Sequence, residues 1–181
     1  MSTRKIIFWI FILIIIDQVV KIIINNFFFE CQFEIIPSLF EFKPVFNNKH
    51  SYVNDLLYKN FDINMGLWFH IVLFLFIEFV ILTLYFNFKK IISKNQKLLD
   101  LALVFQLAGV VCALLGNLVW KEGTLDFIYL KPLFVFDFKD LYIDCFVVLF
   151  MIYVHKNYNE IKMIKMKDMT LDLKHLLKKE Q

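Results

Sequence analysis

The chain has 181 residues, 60% of them hydrophobic, with 23 Phe, only 4 Gly and a mean hydropathy of +0.64. Soluble domains sit nearer half apolar and spread those residues in short periodic runs, so a chain laid out in long apolar blocks is not an ordinary soluble domain. The formal charge of +3 is carried by the segments between the blocks, and it reflects membrane topology rather than a nucleic-acid partner.

The first block, Ile6–Ile24, follows Arg4 and Lys5. A charged start and an apolar stretch fit a cleavable signal peptide, but no small-residue cleavage site follows. The continuation "DQVVKIIINNFFFE" is polar and then bulky, so the segment is expected to stay as a membrane anchor. Within it, Asp17 and Lys21 are spaced i,i+4 on one helix face and can neutralise each other near the outward end. That arrangement reads equally as a structural ion pair and as part of a functional site. Residues 25 to 64 are expected to face outward.

The second block, Met65–Phe86, carries Glu78 in "FLFIEFVIL". A lipid-facing carboxylate there would be protonated or expelled, so Glu78 must face the bundle. Gln106, at similar depth in the third block Leu98–Trp120, is the expected hydrogen-bond partner. His70, Trp68 and Trp120 read as residues of the membrane interface. The fourth block runs roughly from Leu133 to Val154. Each block approaches the ~20 residues needed to cross a ~30 Å hydrocarbon layer. The expected architecture is all-α, with four membrane-spanning helices and no internal repeat.

Lys and Arg set the orientation. The loop Lys89–Lys97, "KKIISKNQK", the N-terminus and the tail from Lys156 onward are all basic. Four spans place the three on one side, which is then cytoplasmic. The tail, 159 to 181, has lysines between apolar residues spaced by three to five, and predicts an amphipathic helix on an anionic leaflet. Residues 1–158 form the membrane domain and 159–181 the basic tail. Cys31, Cys112 and Cys145 show no metal-ligand spacing, so neither a metal nor another cofactor is expected.

The stretch "GTLDFIYLKPLFVFDFKDLYIDCF" gathers Asp126, Asp137, Asp140 and Asp144. Asp126 and Asp140 both fall at the outer membrane boundary. Two carboxylates held together in a poorly solvated site cannot both ionise easily; one keeps a proton and acts as acid while the other activates water. That is the chemistry of peptide hydrolysis by an aspartate pair. Asp137, Asp140 and Asp144 would share a face at i, i+3 and i+7 of an early-starting helix, and spacing alone leaves open which of them partners Asp126. They equally suit helix N-terminal charges that favour the dipole.

The layout resembles the lipoprotein signal peptidases (signal peptidase II), four-helix membrane aspartic proteases. "DQVVK" matches that family's Asp-Gln-x-x-Lys; "TLDFI" resembles its Val-Asp-Phe; and "FDFKD" resembles its Phe-Asn-x-Ala-Asp. The resemblance implies that Asp126 and Asp140 are the catalytic pair, with Asp137 in the family's asparagine position and with Asp17, Lys21, Asn47 and Asn117 supporting the site. Two elements depart. The family's Asn-x-Gly-Ala-Ala-Phe is reduced in "PVFNNKHSY" to an asparagine, Asn47, and its Gly-Asn-x-x-Asp-Arg appears as "GNLVWK". Aligned on Gly-Asn, Trp120 and Lys121 replace the acidic and basic residues; aligned by spacing to Asp126, Asn117 and Leu118 do. In both registers the arginine fork is lost.

The resemblance implies an aspartic endopeptidase of the bacterial inner membrane, multi-pass and monomeric. It would remove signal peptides from diacylglyceryl-modified prolipoproteins in contact with membrane lipid. Two other readings compete: an impaired member that only binds lipoprotein signal helices, and a small transport subunit with Glu78, Gln106 and Asp17 as a polar pathway.

Overall fold

The computed structural model describes residues 1–48, 52–63, 65–120 and 122–163. Helix α1 spans Thr3–Ile23 and closes with a wider π-helical turn at Ile24–Phe28. Strands β1 (Phe33–Ile36) and β2 (Phe40–Asn47) and helix α2 (Tyr52–Phe61) follow, then the long helices α3 (Leu67–Ile91) and α4 (Gln96–Val119). Strands β3 (Thr124–Leu130) and β4 (Phe134–Phe136) lead into α5 (Phe138–Lys156).

Among the described residues, three helical stretches are long and apolar enough to cross a membrane: Thr3–Phe28, Leu67–Ile91 and Gln96–Val119. Phe8, Phe11, Ile15 and Val19 on α1, and Val72, Phe76 and Phe79 on α3, lie exposed. Large apolar side chains turned outward around whole helices suit a lipid solvent rather than water. The fourth apolar block differs from expectation. Its first residues form β4, so the helix starts only at Phe138, and its opening turns carry Lys139, Asp140 and Asp144.

The bundle is organised around α4, which packs on α1, α5 and, less extensively, α3. Its buried face is made largely of small residues: Ala102, Ala108, Gly109, Cys112, Ala113 and Gly116. Small side chains let helix backbones approach closely where no hydrophobic effect drives them together. At Gly109 a Cβ would lie 2.8 Å from Ile143 Cγ1 and 3.2 Å from the Lys139 carbonyl of α5. That contact sets the depth of α5 and hence the position of Asp140.

The all-α expectation is corrected by a four-stranded antiparallel sheet in the order β1-β2-β3-β4. It joins the segment after α1 to the segment after α4, pairing Val45 with Asp126 and Asn47 with Thr124. The β2–β3 register shifts between Phe42 and Val45, where buried Pro44 has no N–H to donate. Proline within a central strand belongs at such a bulge, and a bulge re-aims the side chains that follow. Ile24, Leu125 and Phe127 form a buried cluster beneath the sheet, joined by Phe42, Phe46 and Phe138.

The bundle has two unlike ends. At one, buried Asp100 accepts hydrogen bonds from the Met1 amine, Lys89 and Tyr85, and Asn95 donates to Asn157 at 3.2 Å. The N-terminus, the α3–α4 turn and the end of α5 therefore meet there. The sheet caps the other end. Of the tail predicted as an amphipathic helix, residues 159–163 are helical; the rest lies outside the described residues. Mid-bundle, Gln106 Nε2 donates to Glu78 Oε2 at 3.0 Å, the pairing expected from their matching depths.

Candidate active site

Asp126, Asp137 and Asp140 converge where the sheet meets the start of α5, with one carboxylate oxygen of each within 4.8 Å of the others. Different elements deliver them. Asp126 lies in β3 opposite Val45 of β2. Asp137, expected on the helix itself, is instead its N-cap. Its side chain accepts from the Asp140 N–H at 3.4 Å while its own N–H donates to Asp140 Oδ2 at 3.2 Å. This reciprocal capping satisfies two helix-end donors and fixes Asp140 in the first turn. Asp144, one turn further on, is exposed and does not belong to this group.

Beneath the cluster lies a second layer. Lys21 Nζ sits 2.8 Å from Asp17 Oδ2 and 2.7 Å from Asp137 Oδ2, with all three side chains fully buried. The i,i+4 pairing on α1 thus extends across the bundle to the cap of α5. Gln18 Nε2 donates to Asp17 Oδ2 at 2.8 Å, and Trp120 Nε1 donates to Gln18 Oε1 at 3.5 Å. Asn47 Nδ2, from β2, donates to Asp126 Oδ2 at 3.0 Å. Asn117 donates to the Ala113 carbonyl on its own helix at 2.8 Å. Lys121, the residue aligned with the family's arginine in one register, lies outside the described residues.

One participant escaped the sequence reading. Lys139 Nζ lies 2.8 Å from Asp126 Oδ1, 2.9 Å from Asp137 Oδ1 and 3.2 Å from Asp140 Oδ2, its side chain 11% exposed. An ammonium therefore occupies the cationic position among these three carboxylates. The signal was present in "FDFKD": a basic residue enclosed by acids at the family's alanine position.

Environment separates the acids. Burial pushes the Asp126 carboxyl above the ordinary carboxylate range, against the pull of Lys139 and its hydrogen bonds. Burial acts the same way on Asp137, but the ammonium groups of Lys139 and Lys21 outweigh it and hold Asp137 below its ordinary value. Asp137 is thus held as an anion beside Asp126, a group that burial inclines to keep a proton.

Asp126 lines an open cavity of about 380 Å³ between β2, β3 and β4, together with Val45, Phe46, Asn47, Tyr129 and Phe134. Lys43 stands at its side with Nζ 5.1 Å from the centre of the Tyr129 ring.

A protein-family model described as "Signal peptidase (SPase) II" matches residues 9–156, a span that includes every residue of this site. No curated protein matches the chain. Solved structures that share its fold include two bacterial membrane enzymes. One is a bacterial membrane enzyme solved by the in meso method at 1.9 Å resolution. It is 20% identical with a TM-score of 0.62, and the match covers 84% of this chain and 93% of that one. The other, a bacterial membrane enzyme solved by the same method at 2.3 Å resolution, is 21% identical with a TM-score of 0.54, covering 86% and 90%.

Proposed function

The chain belongs to the signal peptidase II family, the lipoprotein signal peptidases, and on that premise we propose that it is an aspartic endopeptidase whose catalytic pair is Asp126 and Asp140. The observation that carries the assignment is the convergence of these two carboxylates, from β3 and from the first turn of α5, with Asp126 lining an open cavity. Asp137 is committed elsewhere, as the α5 cap and as the partner of Lys21.

In the proposed reaction one carboxylate takes a proton from a water held between the pair as the oxygen attacks the scissile carbonyl carbon. The other, protonated, gives its proton to the carbonyl oxygen, and the resulting diol collapses as the amide nitrogen is protonated and leaves. Asn47 fixes the Asp126 rotamer, and the Asp17–Lys21–Asp137 layer fixes the start of α5.

The substrate is a prolipoprotein carrying a diacylglyceryl group. Its signal helix would lie in lipid against the bundle, where Ile81 and Leu84 of α3, Leu103 of α4 and Phe146 and Phe150 of α5 line an apolar cleft. The scissile bond would then meet the sheet end at the membrane boundary. This reading takes α5 as a fourth span, the basic end of the bundle as cytoplasmic, and the protein as a monomer in a bacterial inner membrane.

The test is cleavage of a lipidated precursor peptide by purified protein in detergent. Asp126→Asn and Asp140→Asn should each abolish turnover, while Asp144→Asn leaves it near wild type. Folded wild-type protein that binds the peptide without cutting it would instead establish a binding protein.

A further inference from the structure

The segment Phe136-Asp137-Phe138-Lys139-Asp140 departs from Phe-Asn-x-Ala-Asp at two positions, and the departures are opposite in charge. An acid stands for a neutral amide and an ammonium stands for a methyl group. The two altered residues meet: Lys139 Nζ is 2.9 Å from Asp137 Oδ1. The same nitrogen reaches Asp126 Oδ1 at 2.8 Å and Asp140 Oδ2 at 3.2 Å. We infer that Asp137 and Lys139 form a charge-compensated pair that sets the protonation of the Asp126–Asp140 couple, with Lys139 as the positioning residue holding both carboxylates.

The groups around the couple come from several elements. Asp126 is on β3 and Asn47 on β2, while Asp137, Lys139 and Asp140 open α5. From α1, Lys21 approaches through Asp137, with Asp17 behind it and Cys112 of α4 beside Asp17. Lys43 and Lys59 line the outer cavity. Among the ion pairs of the described residues, those of Asp126 and Asp140 are all with Lys139.

A third carboxylate beside two others raises the proton affinity of each, and an ammonium in contact lowers it. Asp137 cannot relax away, because Lys21 holds one of its oxygens at 2.7 Å and the α5 cap uses the other. Its charge is permanent, and Lys139 offsets it. A water held between Asp126 and Asp140 requires the ammonium to yield at least one contact, and Asp137 then keeps it beside the pair. Either substitution alone changes the net charge around the couple, whereas together they leave it unchanged.

This inference rests on the proposed function for its kinetic readout, so protonation is also measured directly. The full-length protein in detergent is followed by the pH profile of kcat/KM on the lipidated peptide and by carbon-13 NMR titration of labelled aspartate carboxyls, assigned with Asp126→Asn. Lys139→Ala should move both profiles to higher pH by roughly one to three units, while Lys139→Arg stays near wild type. Asp137→Asn, which keeps a competent helix cap, should move them to lower pH. Asp137→Asn/Lys139→Ala should return close to wild type. If Lys139→Ala does not fold, Lys139→Met, Asp137→Asn and the double variant carry the same comparison. Single variants that shift the same way or not at all, or a double variant displaced as far as Lys139→Ala, would overturn the inference. Opposed NMR shifts in the two single variants, with wild-type protein that never cleaves, would refute the proposed function while upholding the charge pair.

Discussion

Replacing Lys21 with methionine keeps an unbranched side chain one atom shorter and removes its charge. The ammonium is fully buried, 2.8 Å from Asp17 and 2.7 Å from Asp137. Asp137 retains Lys139 at 2.9 Å, so the loss falls chiefly on Asp17, left with the Gln18 amide at 2.8 Å. Removing one partner of a buried ion pair costs roughly 3–5 kcal/mol, mostly the penalty of the charge left behind. For a chain of this size that corresponds to a fall of roughly 6–20 °C in the unfolding midpoint, readable by thermal unfolding of the detergent-solubilised protein. The cause is testable by rescue. Asp17→Asn neutralises the stranded carboxylate, so Lys21→Met/Asp17→Asn should recover most of the loss. A Lys21→Met protein within about 1 kcal/mol of wild type, or a double variant no more stable than the single, would refute the reasoning.

Three further outcomes are expected. Gly123 has φ +104°, and a Cβ there would lie 2.4 Å from the Asn47 carbonyl oxygen. Gly123→Ala should therefore cost roughly 2–4 kcal/mol and, by displacing the strand that carries Asn47, lower kcat/KM by about 100-fold. Gln106→Leu leaves the Glu78 carboxyl buried without its donor at 3.0 Å, so it should destabilise the protein by about 1–3 kcal/mol, and Glu78→Gln should be the milder change, both read as unfolding midpoints. Asp126 has a raised folded-state value against 3.8 when free. Its contribution to stability is thus fully present below the free value and lost as pH rises through the folded one. Asp126→Asn should be inactive yet more stable than wild type at neutral pH, with a flatter dependence of the unfolding midpoint on pH.

Much of the membrane architecture was legible in the sequence, because hydropathy is a local property and the bilayer sets a length that a run of side chains either meets or fails. The anchors Ile6–Ile24, Met65–Phe86 and Leu98–Trp120 correspond to α1, α3 and α4 within a few residues. The Glu78–Gln106 contact followed from depth alone, since an ionisable group in hydrocarbon must find whatever polar partner lies at its level. The motifs around Asp17, Asp126 and Asp140 carried the family, because each is a short contiguous signature.

Only the tertiary structure decided the rest. "FEFKPVFN" and "TLDFIYL" are apolar enough to pass for membrane boundary. They become strands through pairing between segments some 80 residues apart, Val45 with Asp126, which no local pattern encodes. Asp137, Asp140 and Asp144 look equivalent as spaced acids. The helix start at Phe138 makes the first a cap, aims the second at Asp126 and leaves the third exposed. Lys139 appeared as one more basic residue at a helix end. Its part in the site depends on three carboxylates brought together from two elements, because an ammonium is stable in a buried place only where the fold surrounds it with compensating charge.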